Sequence, residues 1–455
     1  MNTALIILSS LLALTLTFIA FPDGATSLLI VLAFSGLAVY LIRRYSDDSV
    51  FICQVFIGGL LIRMLLALVI YSYDLYDFFG PDARFYDLVG MKLIASWDSS
   101  IVAKTAEGRQ IGSTVGAGWG MNYLTAIIYY LVGRNMLAVQ MFCVVIGAAT
   151  SPITYFCAKN LYGSQKVARA SAVLVAFFPA MIIWSSQMLK DGLILFLLVL
   201  AITMVLQLQK KISLPATAFL VFSLFGLLSL RFYIFYMTAA AAAGSFLVGT
   251  SSTTQSLVRR LVVVLMVGIS LGYLGVFKNV SSEVSTYGNL EKLQASRQYA
   301  SEAATSGFGD ASARVNTVSG FLTILPVGLI YLMLAPFPWE VANFRQAITL
   351  PEVFLWWSLI PLAVFGLWYT LKNRFRESIP VLIFTFILSV AYALYQGNVG
   401  TAYRQRTQIQ VFLFIFIAVG WTLYMEKRAD RRLLEERRRN RPDIQQRPVL
   451  NRDFN

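Results

Sequence analysis

Fourteen apolar runs follow one another along this chain, near 4–21, 25–42, 51–72, 119–133, 136–158, 168–188, 192–209, 213–230, 232–249, 261–277, 319–336, 353–371, 379–395 and 411–425. Most approach the length of a bilayer crossing, which takes about 20 residues. None alternates with the two-residue period of a strand. In lipid, only a helix satisfies its own backbone hydrogen bonds without closing into a barrel. The expected fold class is therefore an all-α polytopic membrane protein with about 12–14 hydrophobic segments. Composition agrees, because only 13% of residues are charged, against about 25% in soluble domains.

The net charge of +14 does not point to nucleic acid. Its surplus sits in short connectors and in the tail: Arg43-Arg44, Lys159 with Lys166 and Arg169, Lys210-Lys211, Arg259-Arg260, Lys372 with Arg374 and Arg376, then EKRADRRLLEERRRNR. This is the positive-inside pattern of an integral plasma-membrane protein. All these connectors share one side only if 119–133 and 319–336 do not fully cross. The first is short and opens on GAGWG; the second carries Pro326 and ends in APFPW, and prolines break helices. Twelve crossings result. The chain then reads as one transmembrane domain, 1–425, with a basic cytoplasmic tail, 426–455. The connector 73–118 with its interfacial helices, a polar lid-like loop 278–318, and the segments 337–352 and 395–410 share the outer face. The N-terminal run lacks a basic leader and a small-residue cleavage site, so it reads as a retained first span.

The chain contains no histidine. A Ser-His triad is excluded, and with it the commonest general base and most zinc sites. Cys53, Cys143 and Cys157 lie in apolar runs with no paired spacing, as core residues do. Any acid–base chemistry falls to Asp, Glu, Lys, Tyr or Cys. Between Glu107 and Glu283 the only acid is Asp191, whereas Asp74, Asp77, Asp82 and Asp87 crowd one connector. Ionisable groups are costly next to lipid, so those that persist face a partner, a cavity or a substrate. Asp82 follows Gly80-Pro81 at the start of an amphipathic pattern that includes Tyr86. It suits a general base at the membrane surface, with helix N-capping as the competing role. Asp191 opens a long apolar run, and the same two readings apply, with Lys190 beside it to neutralise it. Two acids on one face also suit a divalent cation.

In GNVGTAYRQRTQIQ, Arg404 and Arg406 occupy an expected outer loop, where basic residues are disfavoured. Paired guanidiniums grip phosphate bidentately, and Gly397 and Gly400 let backbone amides approach. Tyr403, Tyr86, Arg231 and Lys190 complete the expected substrate-binding set. Arg63 sits inside a span without an acid at helical spacing, so it must pair across helices or snorkel. Trp339, Trp356 and Trp357 read as interfacial belt residues.

The order GPDARFYDLVG, then GWGMNYLTAIIYYLVGRNMLAVQMFCVVIGAATSPITYFCAKNLYG, then ARASAVLVAFFPAMIIWSSQMLKDGLILFLLVLAI resembles the GT-C class of membrane glycosyltransferases. The likeness is to family-39-like enzymes related to protein mannosyltransferases and lipid A aminoarabinose transferases, over roughly 60–210. It implies a GT-C-like helical bundle and a polyprenyl-phosphate-linked sugar donor used at the outer face. It also implies a catalytic base in the first outer loop, matching Asp82, and a second acid near a later span, matching Asp191. The Asp-Glu pair of protein mannosyltransferases is absent, since Ala83 follows Asp82, and so is their large soluble domain. The expectation is a glycosyltransferase of cell-envelope or exopolysaccharide glycan assembly, with no obligate cofactor and a divalent cation as an optional aid. Its acceptor would be a glycan, lipid or protein. A polymerase or ligase acting on lipid-linked oligosaccharide is the alternative enzyme. A lipid-linked glycan flippase is a third reading, disfavoured by charges gathered at one face and by the absence of a repeat.

Overall fold

The computed structural model describes residues 3–98, 118–248, 254–274, 276, 294, 318–341 and 343–439. The expected lid at 278–318 falls almost wholly outside them. The described residues form α-helices and no strand. In chain order they are α1 (Thr3–Ile19), α2 (Asp23–Tyr45), α3 (Ser49–Ser72), α4 (Tyr76–Phe79), α5 (Asp82–Asp98), α6 (Gly120–Val132), α7 (Met136–Tyr162), α8 (Gln165–Phe177) and α9 (Pro179–Ser185). There follow α10 (Lys190–Lys210), α11 (Leu214–Leu230), α12 (Phe232–Val248), α13 (Thr254–Tyr273), α14 (Val318–Leu334), α15 (Phe344–Asn373), α16 (Phe375–Tyr395) and α17 (Val399–Arg439). Seven of these, α2, α3, α7, α10, α15, α16 and α17, are long and apolar enough to cross a membrane, and the bent pair α8–α9 makes an eighth candidate. The chain is an all-α polytopic membrane protein, as its periodicity requires.

Helices α7, α10 and α17 form the centre, each with at least 72% of its apolar window buried, while α1 and α2 turn exposed leucines and phenylalanines outward. The bundle has two chemically different ends. At one, Lys159 meets Asp47, Arg169 pairs with Asp48 at 2.6 Å, and Lys166 pairs with Glu426. Lys210 donates there to the Asn160 carbonyl. The connectors expected on one side of the membrane are thus joined through side chains. At the other end of α10 stands Asp191, a helix length of about 30 Å away at 1.5 Å per residue.

Helix α6 does not traverse the bundle. Gly120 packs on Ser229 at the end of α11, and Asn135, just past α6, donates to the Asp23 carbonyl and to Thr26. Both termini of α6 therefore lie at the Asp191 end. It forms an antiparallel hairpin with α5, closed by Tyr129 and Arg134 on Asp87 and by Gly90 against Thr125.

The chain breaks between α8 and α9, where the axes bend by 55°. Pro179 has no N–H to give the carbonyl four residues back, that of Val175. Arg63 supplies donors instead, to the Val175 carbonyl at 3.1 Å, to Ala176 at 2.7 Å and to Ser185 at 2.7 Å. It neither snorkels nor needs a carboxylate; a broken helix is its partner.

The expected loop 395–410 is a correction. Only Gln396, Gly397 and Asn398 connect the helices, and α17 starts at Val399. It runs unbroken past residue 425 into the charged tail. Arg404 and Arg406 are helical residues. Trp356 is buried, and Trp356 and Trp357 donate to the Met333 and Leu334 carbonyls, so of the three tryptophans only Trp339 is largely exposed.

Candidate active site

Asp191 lies in the first turn of α10, but Leu189 is the N-cap residue and no side chain caps the helix. The carboxylate is instead fully buried and receives two guanidiniums. Arg404 approaches with Nε at 2.8 Å and Nη2 at 2.5 Å, and Arg231 with Nη2 at 3.4 Å. A buried carboxylate without partners would be prohibitively costly, and removing one partner from such a pair costs about 3–5 kcal/mol. The segment that delivers Asp191 is itself held: Gln140 donates to the Ser186 carbonyl at 2.7 Å and accepts from Tyr76 at 2.8 Å.

Arg404 reaches a second acid. Its Nη1 donates to Asp82 Oδ2 at 3.0 Å, so one guanidinium bridges α5 and α10 from its place on α17. The two carboxylates differ in setting. Asp191 is sealed, while the Asp82 side chain is 46% exposed. An exposed ion pair contributes at most about 1 kcal/mol, so the Asp82 arm is the weak one. The turn that places Asp82 is tight, since a β-carbon at Gly80 would strike Gln187 and Leu189. Arg404 spans the two acids, donating to Asp82 and to Asp191.

Around this bridge stand Lys190, Arg231 and Tyr86. Lys190 forms no ion pair within 4 Å among the described residues, and its Nζ lies by Gly118, whose φ of +95° suits a residue without a β-carbon. Arg231 Nη1 is buried without a hydrogen-bonding partner. Tyr86 is buried on α5, where desolvation, then the Asp82 and Asp191 charges, push its phenol well above the usual range. Three cations thus face two carboxylates, and N–H donors are left over on Lys190, on Arg231 and on Arg404 Nη2, whose contact with Asp191 is an ion pair only. Such an arrangement binds an oxyanion next to a carboxylate able to accept a proton.

Arg406 and Tyr403 are not in this cluster. Residues two apart on a helix point to opposite sides, so Arg406 turns away from Arg404. It is fully buried and donates to the Met333 and Ala335 carbonyls at 3.1 and 2.8 Å, with Glu352 at 3.8 Å. Tyr403 donates to the same Glu352 at 2.5 Å. The paired grip expected of Arg404 and Arg406 on one phosphate is therefore geometrically ruled out. Arg406 takes up carbonyls left free where α14 ends, a structural task.

Two contributors went unnoticed in the sequence. Trp184, seven residues before Asp191, lies 5.5 Å from the Arg404 guanidinium carbon and also touches Tyr403. Gln140 is polar within an apolar run, and that was its only signal.

Residues 118–274 match the family profile described as dolichyl-phosphate-mannose-protein mannosyltransferase. The match supports a GT-C-class membrane glycosyltransferase and hence an enzyme. It begins at Gly118 and includes Trp184, Lys190, Asp191 and Arg231; Asp82 and Arg404 lie outside it. No curated protein matches the chain.

Proposed function

We propose that this glycosyltransferase moves a sugar from a polyprenyl-phosphate-linked donor to an acceptor at the non-cytoplasmic face of the plasma membrane, in assembly of an envelope or extracellular glycan. The observation that carries the reading is a half-exposed carboxylate, Asp82, tied to a buried charge network that still has unpaired N–H donors. In the reaction, an acceptor hydroxyl gives its proton to Asp82 and its oxygen attacks the anomeric carbon. The bond from that carbon to the phosphate oxygen breaks, and the polyprenyl phosphate leaves with the electron pair. Configuration at the sugar inverts. Lys190 and Arg231 meet the charge that grows on the leaving phosphate, which is where fixed donors are worth most. Asp191 keeps Arg231 and Arg404 in place.

Sidedness is supported by the gathering of Lys159, Lys166, Arg169 and Lys210 at the opposite end of the bundle. A general base contributes about 10²–10⁴-fold to rate. Asp82→Asn should therefore cut glycosyl transfer by at least about 100-fold while the protein still binds polyprenyl phosphate. Near-normal turnover in that variant would remove Asp82 from the chemistry and favour a ligase or polymerase working through its cations alone.

A further inference from the structure

We propose that the contact between Asp82 and Arg404 is a latch on the base, and that the donor's phosphate opens it; this rests on the donor reading given above. Arg404 is held asymmetrically. Two of its nitrogens are committed to Asp191, which is fully buried and also contacted by Arg231, and its face lies against Trp184. Only Nη1 points outward, and it ends on Asp82, the one half-exposed carboxylate of the group. Arg404 is the only hydrogen-bonding partner of the Asp82 carboxylate among the described residues. The anchored arm stays; the exposed arm can exchange.

An arriving phosphate monoanion finds Lys190, close enough to feel the Arg404 and Asp82 charges, beside this arm. It competes with Asp82 for Arg404 Nη1, since guanidinium binds phosphate at least as well as carboxylate. Once Nη1 turns to the phosphate, Asp82 Oδ2 loses its hydrogen-bond donor and is left open to accept the acceptor's hydroxyl. Donor binding therefore switches on the base, and an acceptor entering an empty site meets a carboxylate already engaged. Arg404 acts as a positioning residue for Asp82 before the donor arrives and as a phosphate contact afterwards.

The test is a double-mutant cycle on binding of short-chain polyprenyl phosphate to the purified full-length protein, which requires no knowledge of the sugar. Asp82→Asn should tighten binding by at least about 5-fold, a usual size for coupling between sites, because the competing carboxylate is gone. In an Arg404→Gln background the same Asp82→Asn change should have no effect. Tightening of equal size in both backgrounds means simple loss of a repelling charge and overturns the latch, as does unchanged affinity in Asp82→Asn. If Arg404→Gln fails a thermal-stability control, Arg404→Lys replaces it, with the expectation that the coupling shrinks. Failure of the wild-type protein to bind polyprenyl phosphate, or unaltered affinity in Lys190→Ala, would instead strike the donor reading itself.

Discussion

At the scale of single residues, carboxylates in this protein do different work according to what surrounds them. Asp191 is an anchor: Asp191→Asn keeps the shape but leaves buried Arg231 without its counter-charge and Arg404 with only the half-exposed Asp82. A loss of about 3–5 kcal/mol is expected, visible as a lower denaturation midpoint before any assay of activity. Arg406→Lys should likewise lower stability, because it removes the planar group that lies over the Tyr403 and Trp356 rings, yet leave affinity for polyprenyl phosphate unchanged. Weakened affinity in a stable Arg406→Lys protein would return Arg406 to the site. Asp87 offers a pH test. Burial pushes its carboxyl up, but the Arg134 and Tyr129 hydrogen bonds outweigh that and hold it below the usual range. A depressed carboxylate adds stability above its unfolded pKa of about 3.9, and that stability fades as pH falls through the lower folded value. Wild type should therefore melt above Asp87→Asn at neutral pH, with the gap closing below about pH 4. A gap independent of pH would deny the ionic clamp.

At the scale of helices, close approach depends on small residues. Without a hydrophobic drive between helices in lipid, packing and hydrogen bonds must hold them together. Helices α15 and α17 touch where a β-carbon at Gly366 would collide with the Phe416 carbonyl, and one at Gly420 with that of Leu362. Gly366→Val should separate the pair, displace Arg404 from Asp191 along with α17, and reduce both thermal stability and donor binding. Retention of both would show that the contact can relax. The helix break at Pro179 illustrates a different economy, in which one buried arginine satisfies the carbonyls a proline has stranded.

At the scale of the whole molecule, a polar site at one end of an apolar bundle faces a basic cluster at the other. The arrangement predicts membrane sidedness. In a background lacking the three native cysteines, Asn343→Cys, at the same end of the bundle as the site, should label from outside intact cells. Lys211→Cys should label only after permeabilisation. Both positions are exposed, so silence is not expected from burial, and the reverse pattern would place the reaction in the cytoplasm.

Much of this was legible in the chain itself. Apolar runs without strand alternation determine helices in lipid, because no water is there to satisfy an open backbone. The lone Asp191 and the acidic connector around Asp82 drew attention because charge beside lipid needs a partner. Their meeting on one arginine was not legible. Whether Arg404 and Arg406 share a target depends on whether their segment is loop or helix, and positive-inside bias says nothing of that. Tertiary structure decided it: α17 begins at Val399, and the 200° between residues two apart on a helix sends one guanidinium to the acids and the other to stranded carbonyls. Sequence determined which groups could not be left alone in the membrane; only packing determined which of them keep each other company.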